Sequence, residues 1–141
     1  MPMIELTVQT AVLSDNARIQ LRKTLPATLL RWEGAPDTDF FRAQAWCRIN
    51  EVAATDFGSL GDDLPRFRVD VTVPEGALSS RRKQGLVENV TADVLAAADL
   101  TEADSLRVWV LIHEQPEGTW GAGGTVIQFA ELKALAAQAS T

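Results

Sequence analysis

Trp46-Cys47-Arg48-Ile49-Asn50-Glu51 and Trp109-Val110-Leu111-Ile112-His113-Glu114 decide how this chain folds. Each is an alternating run led by tryptophan and closed by glutamate, and the two stand 63 positions apart (109 − 46). Working outward, Leu6-Thr7-Val8 falls on Val71-Thr72-Val73, and Leu13-Ser14 on Leu78-Ser79, both at an offset of 65 (72 − 7) that loops reconcile with 63. Downstream, Phe57-Gly58 is answered by Trp120-Gly121. Each half therefore reads strand, helix, strand, aromatic-glycine loop. A period this long, occurring only twice, is no solenoid. It reads as one duplicated β-α-β domain over residues 1–141, with pseudo-repeats at 1–60 and 65–130 and a C-terminal helix at 131–139.

Local patterns support that reading. Ile4, Leu6 and Val8 alternate along the first strand, as do Val69, Val71 and Val73 in its counterpart. Period-two alternation fits a sheet with helices on one side. Ser14 and Ser79 are placed to cap helices, because their hydroxyl oxygens can accept a backbone N–H that the first turn leaves unpaired. Ala17, Leu21, Leu25, Leu29 and Trp32 follow at helical spacing; Leu86, Val90 and Val94 do the same, with Val87 and Leu95 widening the stripe. Pro26 predicts a kink or a break, since an interior proline removes a helix hydrogen bond. Gly34-Ala35-Pro36 ends the first helical region. In the later strands, Ala43, Ala45, Cys47 and Ile49 are expected to face the helices, as are Val108, Val110 and Ile112. Gln44, Trp46, Arg48 and Asn50 then face away, with Arg107, Trp109, Leu111 and His113 in the second half. Two tryptophans and a leucine on an uncovered sheet face predict self-association, since a large exposed apolar patch usually marks an interface. Asp56 to Pro65 reads as a polar linker. In the tail, Glu131 to Ala139, Leu132 and Leu135 are expected to point inward.

Composition narrows the partners. The 141 residues are 46% hydrophobic, enough for a real core in one domain. A formal charge of −6 and the lack of an Arg-rich arm argue against nucleic acid. No apolar run approaches the roughly 20 residues needed to span a bilayer, and Glu5 and Gln9 interrupt any secretory pattern. Cys47 is the only cysteine, so no intrachain disulfide is expected and a cytoplasmic location is the default. One histidine and one cysteine make a His/Cys metal site improbable, and no cofactor is implied.

Pro2 follows Met1 and opens the first strand. Methionine is usually trimmed before proline, and trimming would leave a secondary amine at the terminus. An α-amino group titrates at about 7.7–8.0, and burial or a nearby cation lowers that value. Such a base suits proton transfer near neutrality. The plain alternative is a Met-Pro start without chemistry.

Pro2 heading a strand, a Ser-capped helix, and Val110 to Glu114 followed by Gln115-Pro116-Glu117-Gly118-Thr119-Trp120-Gly121-Ala122-Gly123-Gly124 together resemble the tautomerase superfamily, of the kind related to 4-oxalocrotonate tautomerase. The last run is similar to the family loop in which an aromatic residue precedes Gly-x-Gly-Gly. The resemblance covers nearly the whole chain, once per half. It implies an α+β fold whose two tandem β-α-β units form a four-stranded mixed sheet with two helices on one face, and it implies a homotrimer. It also implies that Pro2, its amine free, removes a proton from carbon beside a carbonyl and returns it at another carbon, converting an enol or dienol to a ketone as a cofactor-independent keto–enol tautomerase. The second half has Phe67 at the matching position, so one working site per chain follows. Trp120 matches the aromatic wall of the family pocket, with Phe57 its weaker counterpart.

The departures shape the expected substrate. Relatives that bind dicarboxylates carry an arginine after the first strand; here Thr10-Ala11-Val12-Leu13 and Pro74-Glu75-Gly76-Ala77-Leu78 contain none. Trp46 and Trp109 take the place of a second arginine. Ala122 stands where the dehalogenase branch has a carboxylate. A small apolar or aromatic monoacid enol is therefore the expected substrate. Arg107 is the expected cation for its carboxylate or enolate oxygen, and Trp109 a substrate platform or, alternatively, interface core. A hydratase or decarboxylase, and a non-catalytic trimeric scaffold, are the competing functions. His113 is a proton donor or a solvated residue, Arg48 a cleft or interface cation, and Arg81-Arg82-Lys83 a solvated helix face. Gly118 to Gly124 lacks the Lys-Ser/Thr ending of a phosphate loop and reads as a turn needing positive φ. Cys47 should be buried and inert.

Overall fold

The computed structural model describes residues 2–139; the expectation for Met1 lies outside them. Strand β1 (Met3–Gln9) leads into helix α1 (Asp15–Glu33), a short helix α2 (Asp39–Ala43) and strand β2 (Trp46–Val52). The second unit repeats this with β3 (Phe67–Pro74), α3 (Ser80–Ala97), a 3-10 turn over Glu102–Arg107 and β4 (Val108–Gln115). A two-residue hairpin, β5 (Gly121–Ala122) with β6 (Thr125–Val126), precedes α4 (Phe129–Ala139). The four long strands form one sheet in the order β2-β1-β3-β4. β1 and β2 run parallel, as do β3 and β4, while the central pair β1–β3 is antiparallel. This is the mixed sheet of two tandem β-α-β units.

The alternating residues lie where the pattern put them. Ile4, Leu6, Val8, Val69, Val71 and Val73 are fully buried under Leu25, Leu29, Leu86, Val90 and Val94. Burying each such side chain contributes on the order of 1.5–3 kcal/mol. Both serines cap as expected: Ser14 Oγ accepts the Ala17 N–H and Ser79 Oγ the Arg82 N–H. Gly34 ends α1 in the left-handed region at φ 72°, where a side chain would be strained.

α1 and α3 interlock at Gly85. A Cβ there would stand 2.2 Å from the Trp32 ring, so the glycine makes room for the indole. Asn89 ties the pair further, its Oδ1 accepting from Arg31 Nη2 at 2.9 Å and Trp32 Nε1 at 3.2 Å. Thr28 Oγ1 donates to Asp93 Oδ2 at 2.7 Å. Burial raises the Asp93 carboxyl above its usual range, with the Thr28 bond opposing.

Four expectations need correction. Helix α1 is not broken at Pro26, which is itself buried, so of the kink or break expected there the break does not occur; the apolar stripe packed on both sides outweighs one missing hydrogen bond. The strand expected from Ala43 begins at Trp46, because Thr38 Oγ1 accepts the Phe41 N–H and starts α2, with Phe41 buried beneath it. Leu135 is 42% exposed: Phe129, Leu132, Lys133 and Ala136 form the inward stripe of α4 and rotate it outward. On the open sheet face, Trp46 and Trp109 are 65% and 66% exposed, but Leu111 is half-buried. Between these two tryptophans, at opposite corners, the face is polar. Asp70 there holds His113 Nε2 at 2.8 Å and Arg68 Nε at 3.0 Å.

Candidate active site

Pro2 stands at the N-terminal end of β1, and its carbonyl accepts the Trp46 N–H at 3.1 Å. Residues on the strand's even positions face the helices, and Pro2 is buried like Ile4 beyond it. Met3 pairs with Thr72 in the antiparallel ladder, so Pro2 continues toward Val73 and Pro74. The C-terminal end of α1 lies over this corner, since the helix runs back across the sheet between two parallel strands.

A cavity of about 330 Å³ opens at the same end. Its walls are the end of α1 with Glu33, Phe41 of α2, Pro74 and Gly76 after β3, Arg82 of α3, and Phe129, Leu132 and Lys133 of α4. This volume falls within the usual range of small-ligand sites. The apolar wall is partly aromatic, and two cations share it. Arg82 Nη1 donates to the Glu33 main-chain carbonyl at 3.0 Å, closing the exposed end of α1. Arg82 is therefore no solvated residue. Lys133 Nζ lies 5.8 Å from the Phe129 ring centroid, a cation–π distance.

Glu33 is the residue that sequence reasoning missed. It is half-buried as a whole, yet its Oε1 is enclosed with no hydrogen-bond partner among the described residues. Burial pushes its carboxyl up to about 7, against the pull of the positive amino terminus. One signal was available. Helix C-termini favour cations over carboxylates, and Glu33 occupies the last helical position all the same.

The other expected site residues spread out. Trp120 sits half-buried on the loop after β4, where its carbonyl accepts the Ile127 N–H at 2.8 Å and closes the β5–β6 hairpin. Gln115, at the start of that loop, pairs with Pro74, so the loop lies at the Pro2 end of the sheet but outside the cavity wall. Gly118, Gly123 and Gly124 take the positive φ expected of this turn. Glu117 Oε1 accepts the Phe129 N–H at 2.9 Å and fixes the start of α4.

Arg107 and Trp109 lie elsewhere. Trp109 pairs with Arg68 at the start of β3, five strand residues from Val73, or roughly 17 Å from the Pro2 corner. Arg107 closes the 3-10 turn instead of entering β4. It pairs with Asp104 at 3.1 Å and donates to the Pro65 carbonyl at 3.3 Å. With Phe57, Phe67 and Leu106, these two residues line a separate cavity of about 440 Å³. This is the second half's counterpart of the Pro2 corner, with Phe67 in the place of Pro2. Within one protomer, the structure does not bring Arg107 or Trp109 to Pro2. Burial pushes the Cys47 thiol up to about 11, which leaves it unreactive. Among the described residues, no group of three or more His, Cys, Asp or Glu is arranged to hold a metal ion. No helix among them is long and apolar enough to cross a membrane.

The family model described as Tautomerase enzyme matches residues 68–130, the second β-α-β unit and its loop. Known structures share the whole doubled fold. N1, a member of the cis-3-chloroacrylic acid dehalogenase family, superposes with a TM-score of 0.74 at 18% identity, covering 98% of each chain. Pt0534 inactivated by 2-oxo-3-pentynoate gives 0.75 at 18% identity, over 94% of this chain and 98% of that one. A fused 4-OT solved as an asymmetric trimer, R7, gives 0.72 at 18% identity, again over 94% and 98%. No curated protein matches the chain. The second unit thus matches the Tautomerase enzyme family model, and the chain as a whole has the doubled β-α-β fold of these solved structures.

Proposed function

We propose that the chain is a cofactor-independent keto–enol tautomerase acting on a small aromatic or apolar monoacid enol, with Pro2 as general base once Met1 is removed. The observation that carries this reading is the position of Pro2: buried, at the strand end, and at the same end of the sheet as a cavity whose walls combine Phe41 and Phe129 with Arg82 and Lys133 without including Pro2 itself. An amine in such surroundings is held toward its neutral form by burial and by neighbouring cations. The aromatic walls take the apolar part of the substrate, and a cation takes its carboxylate. Trp120, on the adjacent loop, serves as a further wall. We take the homotrimer to be built through the open face, with neighbouring subunits covering the exposed Trp46 and Trp109 at its corners. Arg107 and Trp109 then reach a Pro2 site only across a subunit boundary.

The test uses two measurements. 2-Oxo-3-pentynoate, the compound that inactivated Pt0534, is an electrophile toward a neutral amine. It should add once per chain, and the adduct should map to Pro2 by mass spectrometry. Pro2→Ala should lower ketonisation of phenylenolpyruvate by about 10²-fold or more. Unchanged turnover, or a purified native chain that still carries Met1, removes Pro2 from the mechanism. Hydration of an unsaturated acid is the second reading, favoured by the unpaired Glu33 oxygen, which could instead activate water. A product heavier by one water decides for it.

A further inference from the structure

Glu33 is in an unusual position for a carboxyl group. It ends α1, where the helix's own unpaired carbonyls disfavour negative charge. Arg82 of α3 gives its Nη1 hydrogen to the Glu33 main-chain carbonyl, and Glu33 Oε1 has no hydrogen-bond partner among the described residues. Lys133 from α4 is the other charged group lining the cavity. The positive charge of the amino terminus draws the Glu33 carboxyl down against the effect of burial. The other side chains lining the cavity, among them Phe41, Pro74, Phe129 and Leu132, are apolar. An enclosed carboxyl oxygen without a hydrogen bond costs stability. That cost has no structural return inside this chain.

We propose that Glu33 is the second proton carrier of the site, exchanging a proton with the substrate oxygen while Pro2 works at carbon. The inference rests on the reading of Pro2 as the base. In enolisation, the neutral Pro2 nitrogen takes the proton from the carbon beside the carbonyl. The C–H pair becomes the C=C bond, and the carbonyl π pair forms an O–H bond with the proton from Glu33. The products are the enol, a protonated Pro2 and an ionised Glu33. Ketonisation reverses each transfer: the enol O–H proton goes to Glu33, and the proton on Pro2 goes to carbon. The pair keeps one proton in either direction, so no outside acid is required. A carboxyl held at about 7 by burial can hold or release a proton near neutrality, whereas one at 4.5 would be almost fully ionised. Arg82 and Lys133 remain for the substrate carboxylate.

Glu33→Gln keeps the shape and removes the acid. Ketonisation of phenylenolpyruvate should fall about 10²-fold or more. The wild-type loss of rate on the acid side, where protonated Glu33 cannot accept the enol proton, should vanish in the variant. Such limbs belong to the coupled pair. Labelling of Pro2 by 2-oxo-3-pentynoate provides the independent arm. It should persist in Glu33→Gln, with its midpoint moved to lower pH, because a carboxylate no longer favours the protonated amine. At a pH below the wild-type midpoint, labelling should be several-fold faster. Glu33→Asp should recover part of the turnover, and it carries the same test should the glutamine variant not fold. Wild-type turnover and an unmoved labelling profile in Glu33→Gln overturn the proposal. Absence of labelling at Pro2 in the wild-type protein overturns the reading of Pro2 itself, and this inference with it.

Discussion

Gly85→Ala tests the interlock that holds the two halves together. The added Cβ would stand 2.2, 2.3 and 2.7 Å from three atoms of the Trp32 ring, where carbon atoms prefer about 3.5–4.0 Å. An overlap above 1 Å with a rigid ring is not relieved by small shifts. The indole must swing out or the helices must separate. Swinging out breaks the bond from Trp32 Nε1 to Asn89 Oδ1, worth about 1 kcal/mol. Repacking adds about 1–3 kcal/mol. Alanine's better helix propensity offsets about 0.8–1.0 kcal/mol. The net loss is therefore about 1–3 kcal/mol, or about 3–10 °C in Tm for a chain of this size. Thermal denaturation followed by circular dichroism measures it. The cycle with Trp32→Leu sharpens the test. Once the ring is gone, Gly85→Ala should become stabilising by up to about 1 kcal/mol. A neutral or stabilising Gly85→Ala in the wild-type background, or the same cost in both, refutes the steric argument.

Glu33 also predicts a pH-dependent stability. Its folded pKa is raised, from 4.5 to about 7, so the folded chain holds a proton that the unfolded chain releases. Stability from this group is full below 4.5 and is lost as pH rises through about 7. Glu33→Gln should accordingly melt higher than wild type at pH 8 and show little of that gain at pH 4.5; a gain independent of pH counts against the burial argument. On the open sheet face, Trp46→Glu with Trp109→Glu should abolish the proposed trimer by analytical ultracentrifugation while leaving the far-UV spectrum unchanged. A trimer that survives both changes places the interface elsewhere.

Most of the fold was legible in the chain because it depends on local rules that the sequence states twice. The alternation of Ile4, Leu6 and Val8 against that of Val69, Val71 and Val73, with Ser14 and Ser79 as caps, specifies two equivalent β-α-β units. The misreadings came where distant packing overrides a local rule, as when buried neighbours keep α1 intact at Pro26. Of the proposed site, the sequence pointed only to Pro2, whose proposed chemistry rests on its following Met1 and heading a strand. Glu33, Arg82 and Phe129 are far apart in sequence and belong to three different helices. Only the return of α1 across the sheet, and the folding of α4 back onto Phe41 and Pro74, bring them to one cavity.

Sequence alone thus determined the duplicated architecture, the helix boundaries at their caps and the residue able to act as a terminal amine, since each is a property of neighbours along the chain. The tertiary structure decided which corner is enclosed, that Arg107 and Trp109 stand at the opposite end from Pro2, and that Glu33 Oε1 is enclosed without a hydrogen-bond partner among the described residues. Burial and separation in space depend on how distant segments pack, and no short stretch of residues encodes that.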